Sequence, residues 1–416
     1  MDMDQVSESV ERLSARCCIV GGGPAGVMAG YLLARAGVDV IVLEKHGDFL
    51  RDFRGDTVHP STLEVMYELG VLEGFLKRPH QEYRHIGGRF GGISAEIGDL
   101  SHLPVHCKFV ALMPQWDFLN YLTEEGRRFP GFRLLMQHEA TDLLQENGQI
   151  AGVKGKTPSG AFEVRAHLTI GADGRHSVVR KQAGLQVEDL GAPIDVLWMR
   201  IPKKADDANY TLGHFVTGKM LVTINRGDYW QCAYVIHKGT FEQIQQRGLP
   251  AFRNDIAEVA PFLRDRTAAL SDWKDISLLS VRVDRLRTWW RAGLLCIGDS
   301  AHAMSPVGGI GINLAIQDAV AAANILAEPL SRPNVTTEHL AALQNRRLWP
   351  TRWTQALQIQ AHKRVVEPVL KGQVKFAKLP LGIRLLNNYP ALRRIPARLI
   401  GMGLRPEHVK SPAIRA

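Results

Sequence analysis

Cysteine is scarce: Cys17, Cys18, Cys107, Cys232 and Cys296 are the only 5 in 416 residues, an odd number with no C-x-x-C spacing. A disulfide scaffold and a cysteine-based zinc site are thereby excluded, and a reducing, cytoplasmic location is expected. Long hydrophobic runs are missing as well. No stretch reaches the roughly 18 apolar residues of a bilayer-spanning helix. The opening MDMDQVSESVERLSARCC mixes acids and bases without an apolar signal core, so neither secretion nor integral membrane insertion is expected. Internal repeats and low-complexity tracts are lacking, and no grouping of His, Cys, Asp or Glu has metal-ligand spacing.

What is present is an ordinary globular mixture, 45% hydrophobic and 22% charged, with 39 glycines. At roughly 100–200 residues per domain the length allows two to four domains. A count of 51 basic against 42 acidic residues leaves a net charge of +9, which favours anionic small molecules or anionic membrane surfaces as partners. The basic residues are scattered and not interleaved with aromatics in one stripe, so nucleic acid is not an expected partner.

Residues 17–45, CCIVGGGPAGVMAGYLLARAGVDVIVLEK, read as a short apolar run, a glycine cluster, an amphipathic stretch broken at Gly37, and a second apolar run. The spacing predicts strand, helix, strand. Gly21, Gly23 and Gly26 fill the G-x-G-x-x-G pattern: a tight turn, a close backbone approach to a pyrophosphate, and close helix packing. Pro24 and Ala25 stand where the helix begins, its free N–H groups aimed at the phosphates. Glu44 ends the second strand, where a carboxylate can accept from both ribose hydroxyls.

Plain strand and helix alternation does not continue. Residues 46–60 form a loop rich in Arg and turn formers, followed by a helix from about Ser61 to Leu69. Two more glycine and acid segments come much later, LTIGADGRHSVVR at 168–180 and GLLCIGDSAHAMSPVGGIGINLAIQDAVAAANIL at 293–326. Each is an apolar strand ending in a polar turn that leads into a helix. Gly308, Gly309 and Gly311 would let backbone approach a flat ring, and a helix beginning near Gly311 would offer its positive end to negative charge there.

Taken together the three segments resemble the FAD-dependent aromatic hydroxylases, the single-component flavoprotein monooxygenases related to p-hydroxybenzoate hydroxylase and the ubiquinone-biosynthesis hydroxylases, over about residues 15–330. The resemblance implies an α/β fold: a Rossmann-like FAD-binding domain (1–80, 101–185 and 287–330), an inserted β-sheet substrate domain (81–100 and 186–286) and a carboxy-terminal helical segment with a basic tail (331–416). It implies FAD as cofactor, held by Gly21, Gly23, Pro24, Ala25, Gly26, Glu44 and Lys45 at the ADP half, with Arg54 near the flavin or its diphosphate and Gln115 of MPQWDFLNYL on the ribityl side. Asp173 with Gly174 looks like the segment shared by FAD and NAD(P)H. Gly298–Asp299 looks like the ribityl-binding GD motif. Pro306, Gly309, Gly311, Ile312 and Asn313 look like the lining of the isoalloxazine ring. The implied activity uses NADPH or NADH and O2 to hydroxylate an aromatic, polycyclic or similarly electron-rich small molecule through a flavin C4a-hydroperoxide. The sequence names no catalytic side chain.

Rival readings are a flavin-dependent reductase or dehydrogenase, a halogenase, and a non-catalytic flavoprotein acting as a redox-sensitive interaction module. Halogenases of this type carry W-x-W-x-I-P; here LWMRIP at 197–202 has Leu197 and Met199 in place of both tryptophans. His59 and His302 lie near the motifs and read as loop or cap histidines. Arg175 and Arg180 fit nicotinamide phosphates or surface charge equally. Residues 187–286 read as antiparallel strands, with Arg226–Gly227–Asp228 as a hairpin turn and Trp198, Tyr229, Trp230, Tyr234 and His237 able to cover a flavin face. A smaller meander is expected over 139–167. Helix resumes from about Thr337 to Val369. The tail, with Arg393, Arg394 and Arg398 among Leu and Ile, fits a weak peripheral contact with an anionic membrane or packing against the body, which Pro390 and Pro396 favour. Monomer and dimer both stay open.

Overall fold

The computed structural model describes residues 10–50, 57–207 and 212–414. Its first sheet is built around β1 (Glu11–Val20) and β11 (Gly160–Gly171), paired in parallel from Glu11↔Phe162 to Val20↔Gly171. The strand order is β19 (Trp290–Arg291), β20 (Leu294–Cys296), β11, β1, β2 (Val40–Glu44) and β8 (Phe132–Met136). The inner segments Cys17–Val20, Val40–Leu43 and Leu168–Gly171 are buried at every position, as in a parallel sheet covered on both faces. β9 (Glu139–Glu146) and β10 (Gln149–Thr157) complete the expected meander by pairing onto β11, with the Asn147–Gly148 turn at positive φ.

The second sheet runs in the order β17 (Ile276–Leu279), β13 (Ile194–Pro202), β16 (Tyr229–His237), β15 (Lys219–Asn225), β14 (Leu212–Val216), β5 (His85–Phe90) and β6 (Ile93–Asp99). Residues 85–99 therefore join strands more than 100 positions later in the chain. Small pairings tie the two sheets together: β3 (Thr57–Val58), β7 (Val110–Leu112) and β4 (Gln81–Tyr83), and β12 (Val187–Asp189) with β18 (Asp284–Leu286).

The helices are α1 (Pro24–Arg35), α2 (Pro60–Glu68), α3 (Leu72–Leu76), α4 (Gln115–Gly126), α5 (Val178–Gln182), α6 (Phe241–Gln246), α7 (Leu249–Val259), α8 (Gly311–Ser331), α9 (Thr337–Ala361), α10 (Glu367–Leu370), α11 (Leu381–Asn388) and α12 (Arg394–Gly401). α1 and α8 pack against each other beside the parallel sheet, so two helix amino termini meet at the carboxyl ends of its strands. Ligands of open α/β sheets bind at that edge.

Two expectations need correcting. The stretch 187–286 is not all strand: Phe252, Ile256, Val259 and Leu263 recur at helical spacing, and α7 with the 3-10 turn that follows it buries them against one face of the second sheet. Nor do residues 277–286, SLLSVRVDRL, run as one strand: β17 ends at Leu279 and β18 leaves to pair with β12.

Candidate functional site

The three glycine segments converge at one cleft, and each glycine has a distinct reason to be there. Gly21 has φ +109°, and a Cβ on it would lie 2.4 Å from the carbonyl oxygen of Ala172, so the turn after β1 sits directly on the turn after β11. A Cβ on Gly26 would lie 1.9 Å from the carbonyl oxygen of Gly21. Gly23 differs, since a Cβ there would meet nothing within 4 Å. It caps α1 with Pro24 as first helical residue, leaving the first N–H groups of the helix facing that open space. Glu44 accepts from the backbone N–H of Gly22 (3.1 Å) and of His46 (3.0 Å), an anchoring task the sequence did not reveal. Lys45 beside it is exposed.

Asp173 is occupied locally. Its carboxylate accepts from Ser177 Oγ (2.5 Å) and from the N–H of Val179 (3.1 Å), tying down the turn before α5, and burial raises its pKa. Arg180 is neither surface charge nor available to phosphates. Its guanidinium is buried against Asp284, at 3.2 Å to both oxygens, and also donates to the carbonyls of Ser300 and Arg175. Arg175 lies 3.8 Å from Asp299, linking the second segment to the third.

The turn Gly298–Ser300 packs against the start of α1: a Cβ on Gly298 would be 3.1 Å from the Cβ of Ala25. Its shape is fixed from α8, where Asp318 accepts from the N–H of Gly298 (3.0 Å), pairs with His302 Nε2 (2.6 Å) and accepts from Arg347 Nε (2.9 Å). Arg347 reaches on to Glu407 (3.2 Å), so carboxylates near both ends of this network share one cation that is 0% exposed. Burial opposes charge on Asp318, yet His302 and Arg347 outweigh it and hold the carboxyl below its usual range. Asp299 has no such support, and burial raises its pKa although Arg175 pulls the other way. A carboxylate that accepts no hydrogen bond among the described residues suits sugar hydroxyls.

Next comes the loop from Ser305 to Ile310, with Gly308 and Gly309 at positive φ. Thr57 Oγ1 donates to the carbonyl of Gly309 (2.9 Å), and His59 faces that carbonyl with Nε2 (3.0 Å) and the carbonyl of Ile400 with Nδ1 (2.8 Å). His59 is thus a buried brace beneath the loop. From the other side α9 supplies Gln358, which bonds to the backbone of Ser305 and Val307, while His362 meets Ser305 Oγ (2.7 Å). At the start of α8 a Cβ on Gly311 would face open space. Ile312 is buried, Pro306 half-buried, and Asn313 takes hydroxyl donors from Ser61 and Thr62 on its oxygen. The Asn313 Nδ2 is buried with no partner among the described residues. Gln115 opens α4 and is half-buried. Arg54 lies outside the described residues.

The aromatic residues of the second sheet divide between its faces. Trp198 shares a cluster with Phe215, Val222 and Val307 of the glycine loop, and so stands on the cleft side. Trp230 and Tyr234 point the opposite way and pack with Phe252 of α7; Tyr229 lies under Arg200, and His237 ends its strand. Of the five aromatics expected to cover a flavin, Trp198, Tyr229 and His237 are on the cleft face of the sheet, as the pairs Trp198↔Ala233, Pro202↔Tyr229 and Ile194↔His237 place them, and Trp230 and Tyr234 are on the other.

Two helix amino termini with open glycines, a carboxylate between them that accepts no hydrogen bond among the described residues and an amide at the ring side without a partner there fit a dinucleotide whose flat end lies against the glycine loop. The architecture is that of a flavin-dependent oxidoreductase. Residues 14–356 match the family described as an FAD binding domain, and the chain belongs to that family. It is 34% identical over 387 residues to the 6-methylpretetramide 4-monooxygenase of Streptomyces rimosus, covering 92% of this chain and 91% of that one. Among solved structures it resembles the OxyS anhydrotetracycline hydroxylase of Streptomyces rimosus (TM-score 0.72, 23% identity, 94% of this chain and 76% of that chain). A second is the p-nitrophenol 4-monooxygenase of Pseudomonas putida (TM-score 0.73, 20% identity, 95% and 100%). The protein is an FAD-dependent monooxygenase of the aromatic-hydroxylase type. No described helix is long and apolar enough to cross a membrane.

Proposed function

We propose that the protein hydroxylates a polycyclic, phenol-like aromatic compound, with NADH or NADPH as reductant and O2 as co-substrate. The observation that carries the substrate class is the 34% identity, along nine-tenths of both chains, to an enzyme named for a 4-monooxygenation of 6-methylpretetramide. Bound FAD supplies the electrons with which one oxygen atom enters the substrate while the other leaves as water.

The chain's own residues bind, orient and exclude water. Gly21, Gly23, Pro24, Ala25 and Gly26 receive the diphosphate at the start of α1. Glu44 takes the adenosine ribose, with Lys45 alongside, and Arg54 joins the assignment on resemblance alone. Gln115 and Asp299 take the ribityl hydroxyls, and Asp173 holds the turn between the two halves. Pro306, Gly309, Gly311, Ile312 and Asn313 line the ring, with Asn313 Nδ2 free to donate and the α8 amino terminus offering positive potential to that edge. Trp198, Phe215 and Val222, which pack around Val307, supply an apolar wall that excludes water from the reacting centre. The division of the chain into a discontinuous FAD-binding unit, a sheet unit and carboxy-terminal helices is part of the same proposal. Five buried, unbridged cysteines support a cytoplasmic setting.

The test is aerobic oxidation of NADH and NADPH by the flavin-loaded protein, with and without a panel of phenols and polycyclic phenolic compounds, recording product masses. The expected outcome is faster consumption with a polycyclic phenol and a product heavier by one oxygen atom. Equal turnover without oxygen, giving a product heavier by two hydrogens, would replace hydroxylation by reduction.

A further inference from the structure

From Pro368 to Pro406 the chain contains 8 Lys and Arg and not one Asp or Glu. Such a stretch is far from the even mixture of charges expected of a plain solvated surface. The structure separates its two faces. Inward, Ile383 packs in the cluster of Phe376 and Val369, while Ala397 and Met402 pack with Leu100 and Leu103. Arg393 turns inward too, pairing with Glu96 and donating to the carbonyls of Leu386 and Asn387, which fastens the bend between α11 and α12.

Outward, the same segment exposes Leu381 (63%), Leu385 (43%), Tyr389 (59%), Leu392 (40%) and Ile395 (62%). Both helices lie on β6, so their outer sides face the same way. Exposed Arg384, Arg394 and Arg398, with Lys375 and Lys378 just before, stand among these apolar residues, and none has a carboxylate partner among the described residues. A contiguous apolar strip of this kind on a protein surface marks an interaction site. A second copy of the chain would bring like charges together, whereas a surface of lipid phosphates complements both the charge and the apolar residues.

We propose that α11, the turn Pro390–Arg393 and α12 form a peripheral docking surface for an anionic lipid bilayer. Leu381, Leu385, Tyr389, Leu392 and Ile395 enter the headgroup boundary, and Arg384, Arg394 and Arg398 meet the lipid phosphates. The tail thereby does both things its sequence allowed, packing with one face and presenting the other. This surface stands whether or not the flavin reading does.

The test is sedimentation of the full-length flavin-loaded protein with vesicles of phosphatidylcholine alone and of phosphatidylcholine mixed with phosphatidylglycerol. At low salt, binding to the anionic vesicles is expected to exceed binding to the neutral ones by about tenfold or more, and to fall as salt is raised. The variant Leu381→Glu/Leu385→Glu/Ile395→Glu should abolish it with flavin content unchanged. Arg384→Gln/Arg394→Gln/Arg398→Gln, which adds no buried charge, should weaken it and remove its salt dependence, and serves if the first variant does not fold. Equal binding to both vesicles, no binding to either, or a wild-type dimer that the substitutions convert to monomer would overturn the proposal.

Discussion

The two sides of the cleft are built on opposite principles. Around Gly21–Gly26 the chain approaches itself so closely that side chains are excluded, and the geometry is set by residues within a few positions of one another plus the neighbouring turn at Ala172. Around Gly298–Asn313 the glycine loop is loose in itself and is held by buried polar side chains from elsewhere: Thr57, His59, Ser61, Asp318, Arg347 and Gln358. One side is rigid by sterics and the other by satisfied polar contacts. They should therefore fail in different ways.

The largest failure belongs to the second side. Arg347→Ala leaves Asp318 and Glu407 buried without their shared cation, a kind of loss that costs about 3–5 kcal/mol. Urea unfolding of the variant should show that drop, with weakened flavin retention because the Gly298 turn loses its fixed acceptor. A drop below about 1 kcal/mol, within the range of an exposed pair, would mean that the network is solvated and that the contrast is wrong. On the steric side, Gly26→Ala drives a Cβ into the backbone carbonyl of Gly21, where nothing flexible can yield. The expected loss is about 3 kcal/mol, at the top of the range for overpacking, with purified protein nearly free of flavin.

This contrast also explains what could be read in the sequence. The first side was legible because G-x-G-x-x-G and its terminal Glu44 are a local code for local geometry. The glycines of 306–313 and the Gly298–Asp299 pair were legible as motifs, but their supports were not. Asp318 pairs with Arg347 across 29 positions, Arg180 with Asp284 across 104, and His59 reaches Gly309 across 250. Nothing local in the chain announces such closures, although Gln317 and Asp318 inside an otherwise apolar helix were a usable hint of buried polar work. The helical spacing of Phe252, Ile256, Val259 and Leu263 was also there to be read and was obscured by the strand-like runs on either side.

Between the two sides stands Asp299, which accepts no hydrogen bond among the described residues and has Arg175 at 3.8 Å as its cationic neighbour. Asp299→Ala should leave the fold intact and lower FAD affinity by about 1–3 kcal/mol, the loss of a buried hydrogen bond to a ribityl hydroxyl. Unchanged affinity by flavin-fluorescence titration would remove Asp299 from the cofactor contacts.

Acid should separate the sides more gently. Burial lowers the pKa of both His59 and His362 from the ordinary 6.5, so below that value the unfolded chain takes up protons that the native ring side refuses. Their contribution is complete above about pH 6.5 and falls as the pH drops, by at most about 1.4 kcal/mol per pH unit for each. Asp318, held low in the folded state, loses stability in the same direction at more acid pH. Asp173, raised by burial on the other side, has the opposite sign. Unfolding midpoints measured across pH 5 to 7 (~) should therefore decline with acid, and His59→Gln should flatten the slope by one histidine's share. An unaltered slope in that variant would show that His59 takes a proton equally in both states.

The smallest effect on stability gives the sharpest comparison. Gly23 and Gly26 are three positions apart in the same motif, yet Gly23 has φ −77° and ψ −177°, backbone that any residue adopts, and a Cβ there would meet no atom within 4 Å. Gly23→Ala should therefore leave the unfolding free energy of the flavin-free protein within about 0.5 kcal/mol of the original, while Gly26→Ala collapses it. Its cost should appear only with cofactor present, because the added methyl projects into the space where the diphosphate must approach the helix. A flavin titration of the two variants thus distinguishes a glycine kept for the chain from one kept for the ligand. If Gly23→Ala bound FAD as the original does, the open space beside α1 would not be the diphosphate site, and the steric side of the cleft would be scaffolding alone.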